Sequence, residues 1–175
     1  MARLTVDRLI LWDATLCLRC NRASRQRGVR MVLQAASRLG DGVFWYMLMG
    51  ALLLTHGRGA LVPVLQMLFT GGIGVTLYKW LKKKISRPRP HKIMQNIALS
   101  TAPLDQFSFP SGHTLHAVGF TTVALAHYPE LAWLLVPFSI LVAASRPVLG
   151  PHYPSDVLAG AALGMSVAGS VLLLG

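Results

Sequence analysis

The fold class this sequence predicts is all-α, a polytopic bundle of membrane helices, and three observations predict it. Only 13% of the 175 residues are charged and 53% are apolar, against about 25% charged in an ordinary soluble domain. Mean hydropathy is positive, +0.51. The apolar residues gather in runs of helical length, whereas 16 of the 17 Lys and Arg fall at or before residue 92, Arg146 being the exception. An evenly solvated globule would not distribute charge in this way. The chain therefore falls in the membrane class, with about five transmembrane helices over residues 39–175 and a basic amphipathic N-terminal segment over 1–38. The net charge of +11 is then expected to face a membrane surface, with no nucleic-acid partner.

In chain order, the N-terminal segment sets Leu4, Val6, Leu9, Ile10, Leu11, Trp12 and Leu16 among arginines, the composition of a helix lying in the headgroup region. It does not read as a signal peptide, because Arg8 and Asp13 cut the apolar run short. Cys17 and Cys20 form one CxxC without a second ligand pair at matching spacing, so they read as incidental thiols rather than a zinc site. Five hydrophobic segments follow, at 39–55, 60–81, 111–128, 131–145 and 155–174. About 20 residues cross a ~30 Å hydrocarbon core. The connections at 56–59 and 129–130 are tight, which predicts two helical hairpins. The stretch 82–110 is too long for a turn, and long loops in compact domains tend to be functional. Glycines 71, 72 and 74, and 160, 164 and 169, predict close helix packing. Pro63 and Pro137 predict kinks. No repeat relates the two hairpins, which removes support for an inverted-repeat transporter. Six scattered acids argue against a carboxylate-built two-metal site.

This topology puts the ends at 82, 111, 146 and 155 on one face, and with them Lys82, Arg89, His113, Arg146, His152 and Asp156. The other face receives only His56, Arg58, His127 and Glu130. Ionisable groups at helix ends on one side predict a site at the membrane surface rather than a mid-span pathway. Three clusters build it: Lys82 to Pro90 (KKKISRPRP), Pro110 to His113 (PSGH) and Ser145 to Asp156 (SRPVLGPHYPSD). Each alone has a plainer reading, as a polybasic lipid contact, a helix cap, or an acid in a first helical turn.

Taken together, Lys82-x6-Arg89-Pro90, Pro110-Ser111-Gly112-His113 and Ser145-Arg146-x5-His152-x3-Asp156 resemble the three-part signature of the type 2 phosphatidic acid phosphatase (PAP2) family. The resemblance implies a membrane-embedded, metal-independent lipid phosphatase without a cofactor, acting on a phosphomonoester or diphosphate of a lipid. Candidate substrates are of the undecaprenyl diphosphate, phosphatidic acid or phosphatidylglycerophosphate type. It assigns nucleophilic attack to His152, with a phosphohistidine intermediate, and proton transfer to His113.

Residue chemistry points the same way. A phosphoryl group in transfer spreads negative charge over three oxygens and needs fixed positive donors. Lys82, Arg89 and Arg146 supply them, and Arg146 is costly in its apolar setting unless it is used. Ser111 and the Gly112 N–H open a helix, where free amides bind phosphate. Asp156, four residues after His152, can accept the Nδ1 proton and leave Nε2 free to attack. His91, His116 and His127 read as packing or surface residues, and Lys83, Lys84, Arg87 and Lys92 as lipid contacts. Phe107 and Phe109 are expected to border the mouth of the site.

Phosphotransfer to another lipid's hydroxyl is the near alternative, and a non-enzymatic translocator or basic scaffold the distant one; a scaffold needs the cations but not the histidines. The charge bias puts the site on the cytoplasmic face of the cell membrane, whereas many bacterial relatives of that family work on the outer face.

Overall fold

The computed structural model describes residues 2–103 and 105–174, with side chains from Ile10 onward. The side chains of Leu4, Val6 and Leu9, part of the expected amphipathic face, lie outside the described residues. Eight α-helices follow one another among the described residues: α1 Ala2–Arg22, α2 Arg27–Gly40, α3 Val43–His56, α4 Leu61–Ile85, α5 Pro90–Ile93, α6 Gly112–His127, α7 Ala132–Val148 and α8 Pro154–Leu174. No strand is found among the described residues.

Each apolar segment of the sequence becomes one of the helices α3, α4, α6, α7 and α8, displaced by a few residues at most except where α3 starts and α4 ends. Among the described residues three stretches are long and apolar enough to cross a membrane: Val43–Ile93, which holds α3 and α4, Pro129–Val148 and Pro154–Leu174. The longest helix, α4, has 25 residues, about 37 Å at 1.5 Å per residue. These helices are apolar on every side. Inward they bury Trp45, Met49, Met67, Leu115, Val123, Leu135 and Val142, while Leu54, Phe69, Ile140, Leu158 and Leu173 face outward. A helix that is hydrophobic all round is stable only in a large core or in lipid.

Close packing of α6 on α8 sets the position of the site. A Cβ on Gly160 would come within 2.5 Å of the Ser111 carbonyl, and one on Gly164 would collide with the Leu115 carbonyl. Small residues let the two backbones meet, so the first turns of α6 and α8 stand side by side, and Ser111 N–H donates to the Asp156 carbonyl at 3.0 Å.

Two expectations are corrected. Pro63 does not kink α4, because it lies in the first turn, where an amide has no helical partner to lose. The N-terminal segment is two helices rather than one lead-in, and α1 docks across the ends of the bundle. Ile10, Leu11 and Trp12 face outward, while Asp13, Cys17, Asn21 and Ser24 are buried on the other side. Asn21 donates to the Ala98 and Val148 carbonyls, both at 2.9 Å, and accepts from Ala98 N–H. It thereby fastens the long loop after α4 to the end of α7.

Candidate active site

At one end of the bundle the helix termini enclose a cavity of about 420 Å³. The end of α4 brings Lys82, the loop after it Arg89, the first turn of α6 Gly112 and His113, the last turn of α7 Arg146, and the turn before α8 His152. Six of the eight residues singled out from the sequence thus line one space. Ser111 and Asp156 stand behind its wall, both fully buried.

The local folding reasons differ. Ser111 is the N-cap of α6: its hydroxyl is 3.0 Å from Thr114 Oγ1 and accepts from Thr114 N–H at 3.5 Å. The first amides of α6 are left without helical partners. Gly150 has φ of 95°, a conformation glycine adopts without steric penalty. A Cβ there would also come within 2.8 Å of the Ala98 carbonyl. This turn carries His152 back beneath Arg146.

Arg146, 1% exposed, donates through Nη1 to Ser37 Oγ at 2.6 Å, while its Nε has no partner. Arg89 donates to the Pro151 carbonyl at 2.9 Å and stands 3.4 Å from His152 Nε2. Asp105 bridges the other two cations, accepting from Lys82 Nζ at 2.5 Å and from Arg89 Nη2 at 2.7 Å. Burial pushes the Asp105 carboxyl up, but Lys82 and Arg89 outweigh it and hold it below the usual range. Burial, reinforced by Arg146, Arg89 and Lys82, pushes the His152 imidazole well below its ordinary value, so the ring is neutral.

Asp156 is 3.6 Å from His152 Nδ1, which has no hydrogen-bond partner. Its oxygens accept instead from Tyr153 N–H and Arg87 Nη1, each at 2.8 Å. Arg87 is therefore no lipid contact. It also donates to Ser155 Oγ at 2.7 Å and to Asp13 Oδ2 at 2.6 Å, and lies 3.9 Å over the Tyr153 ring. His116 likewise lines the cavity, with Nε2 at 3.3 Å from the Gly71 carbonyl. Lys83 and Lys84 are exposed, and Phe107 and Phe109 are not among the lining residues. Cys17 is buried with its S–H toward the His152 carbonyl at 3.7 Å, and burial together with Asp13 pushes the thiol up to about 12.

Sequence reasoning missed Asp13, Ser37 and Asp41 as parts of this site, and it missed the pairing of Asp105 with Lys82 and Arg89. Only the i, i+4 stripe Asp13, Cys17, Asn21 on α1 held a signal, that of a second, buried face.

Away from the cations the cavity is apolar, lined by Trp45, Met49, Leu68, Val75 and Phe120, with Tyr46 and Tyr78 between the two ends. A helical membrane bundle with such a cationic, histidine-bearing end has the architecture of the integral-membrane phosphatases. Residues 62–174 match the PAP2 superfamily, and the chain belongs to that family. It is 26% identical over 176 residues to a lipid A 1-phosphatase of Rhizobium etli, covering 89% of this chain and 74% of that protein. Phosphatidylglycerophosphatase B of Bacillus subtilis is 35% identical over 122 residues, and there the chain spans 52% of the relative's length. The crystal structure of a transmembrane PAP2 type phosphatidylglycerolphosphate phosphatase from Bacillus subtilis superposes with a TM-score of 0.76 at 25% identity, covering 99% of this chain and 89% of that one.

Proposed function

We propose that this chain is a membrane lipid phosphatase that releases phosphate from a lipid phosphomonoester or diphosphate through a phosphohistidine at His152. The observation that carries the reading is the two-ended cavity. Three cations and two histidines meet at its polar end, and an apolar groove between α3, α4 and α6 leads away from them. That pairing suits a phosphorylated headgroup whose chain remains in the bilayer.

The phosphoryl oxygens take the donors of Lys82, Arg89 and Arg146, including the unpartnered Arg146 Nε, and the free amides of Gly112 and His113. Ser111 holds those amides in place as the helix cap. His152 Nε2, neutral and uncapped by any proton donor but Arg89, forms the N–P bond as the P–O bond to the lipid breaks. His113 gives its proton to the departing oxygen. In the second step His113 takes a proton from water, whose oxygen displaces His152 from phosphorus. Asp156, anchored by Arg87, stabilises the charge that develops on the His152 ring. Contacts of this kind are often long before substrate binds, and 3.6 Å leaves the carboxylate within a short shift of Nδ1.

The test is turnover of a panel of purified lipid phosphates in detergent: phosphatidic acid, phosphatidylglycerophosphate, undecaprenyl diphosphate and a phosphorylated glucosamine lipid. Phosphate release from at least one, undiminished by excess chelator, is expected. No release from any, or release only with added Mg²⁺, overturns the proposal.

A further inference from the structure

A carboxylate outside the three motifs touches the residue read as the proton donor. Asp41 lies in the two-residue break between α2 and α3, where Gly42, at φ 138°, turns the chain. Its Oδ1 contacts His113 Nε2, and both side chains line the cavity. The His113 side chain is 10% exposed and that of Asp41 38%.

We infer that Asp41 is the positioning residue of His113, holding the Nε2 proton so that Nδ1 is the atom that gives a proton to the leaving oxygen and later takes one from water. The inference rests on the reading of His113 as the acid. The groups facing His113 are otherwise cationic or neutral: Arg146 from α7, His116 one turn along its own helix, His152 from the turn before α8, and Lys82 and Arg89 beyond. An acid that works among fixed cations needs a counter-charge, because like charges disfavour its protonated form. The other carboxylates on this face are engaged elsewhere, Asp105 with Lys82 and Arg89, Asp156 and Asp13 with Arg87. Asp41 alone among the described carboxylates meets His113.

The proton count closes. Imidazolium His113 carries protons on both nitrogens; transfer from Nδ1 to the lipid oxygen leaves the neutral Nε2–H tautomer, which is the one a carboxylate at Nε2 holds. Water then returns the proton to Nδ1 as its oxygen attacks phosphorus.

The test compares two leaving groups in the full-length protein in detergent. A long-chain alkyl phosphate departs as an alkoxide and needs the proton; 4-nitrophenyl phosphate departs as a stable phenolate and does not. Asp41→Asn and Asp41→Ser should lose about 100-fold in kcat/KM on the alkyl phosphate and about 10-fold or less on the aryl one. His113→Ala serves as the reference for the same split, and melting in detergent reports folding of each variant. Equal losses on both substrates, or no loss, overturn the role of Asp41 while the phosphatase reading stands. A wild-type protein inactive on both overturns that reading, and this inference with it.

Discussion

A carboxylate occupies the ground between Lys82 and Arg89, the two cations proposed to hold phosphate. Asp105 holds Lys82 at 2.5 Å and Arg89 at 2.7 Å, and a phosphate that takes both must displace it. Removing the Asp105 charge while keeping its shape, as Asp105→Asn, should therefore tighten phosphate binding. Hydrogen bonds to charged groups contribute about 1.5–3 kcal/mol each. The Asp105 side chain is 37% exposed, so solvent screens much of that. The asparagine amide also retains an acceptor. A net change of about 1.4 kcal/mol is a reasonable working figure, equivalent to about tenfold in affinity. Competitive inhibition of lipid-phosphate hydrolysis by inorganic phosphate reads it directly: the inhibition constant of Asp105→Asn should fall about tenfold. Lys82 and Arg89, left buried without their counter-charge, should also lower the melting temperature of the free protein, and added phosphate should restore it. An inhibition constant that rises or does not move refutes the reasoning, because it would mean that Asp105 stays in place and organises the cations when phosphate is bound.

Three further outcomes follow from the same geometry. Arg87→Ala strands Asp156, whose side chain is 0% exposed, and Asp13 without their shared cation, so thermal unfolding in detergent should show a loss of about 3 kcal/mol; an unchanged melting temperature would contradict the role of Arg87 in docking α1 on α8. Because the folded state keeps the His152 ring neutral far below its ordinary value, the unfolded chain binds more protons once pH drops below about 6.5. Stability should then decline as pH falls through that point, and His152→Gln should flatten the decline; parallel pH profiles would contradict it. Sixteen of the 17 Lys and Arg fall at or before residue 92, and by the positive-inside rule this bias predicts a cytoplasmic site. Alkaline phosphatase fused after Gly175, on the opposite face, should be active, and an inactive fusion that is stably expressed would reverse the orientation.

The helices that build the bundle were legible because each is a long apolar run closed by punctuation that physics can interpret: Gly57 to Gly59 after α3, Lys82 to Lys84 at the end of α4, and Pro110-Ser111 before α6. The cations and histidines were legible for a related reason, since Arg146 has no plain role in an apolar stretch. What stayed hidden were the acids that complete the site. Asp41 and Asp105 are single residues without periodicity, the stripe that holds Asp13 marks only a buried face, and the partners lie far away in sequence: Arg87 for Asp13, His113 for Asp41. Nothing in a local window ties such residues to a partner; only the packing of α1 and α2 over the bundle end does. Arg87 was misread for the same reason. In a run of basic residues beside exposed Lys83 and Lys84 it has the composition of a lipid contact, and the carboxylates that claim it come from two other helices.

The proposed mechanism requires a covalent phosphoryl group on His152, and that group can be trapped. The detergent-solubilised protein would be mixed with a lipid phosphate radiolabelled on its terminal phosphate, quenched with alkali during turnover and digested. A phosphohistidine survives alkali and is lost in acid, so acid-labile label on the peptide that contains His152, absent from His152→Ala, is the predicted result. Rapid phosphate release by His152→Ala, or turnover by the wild-type protein with no label on that peptide under the same quench, would contradict the account.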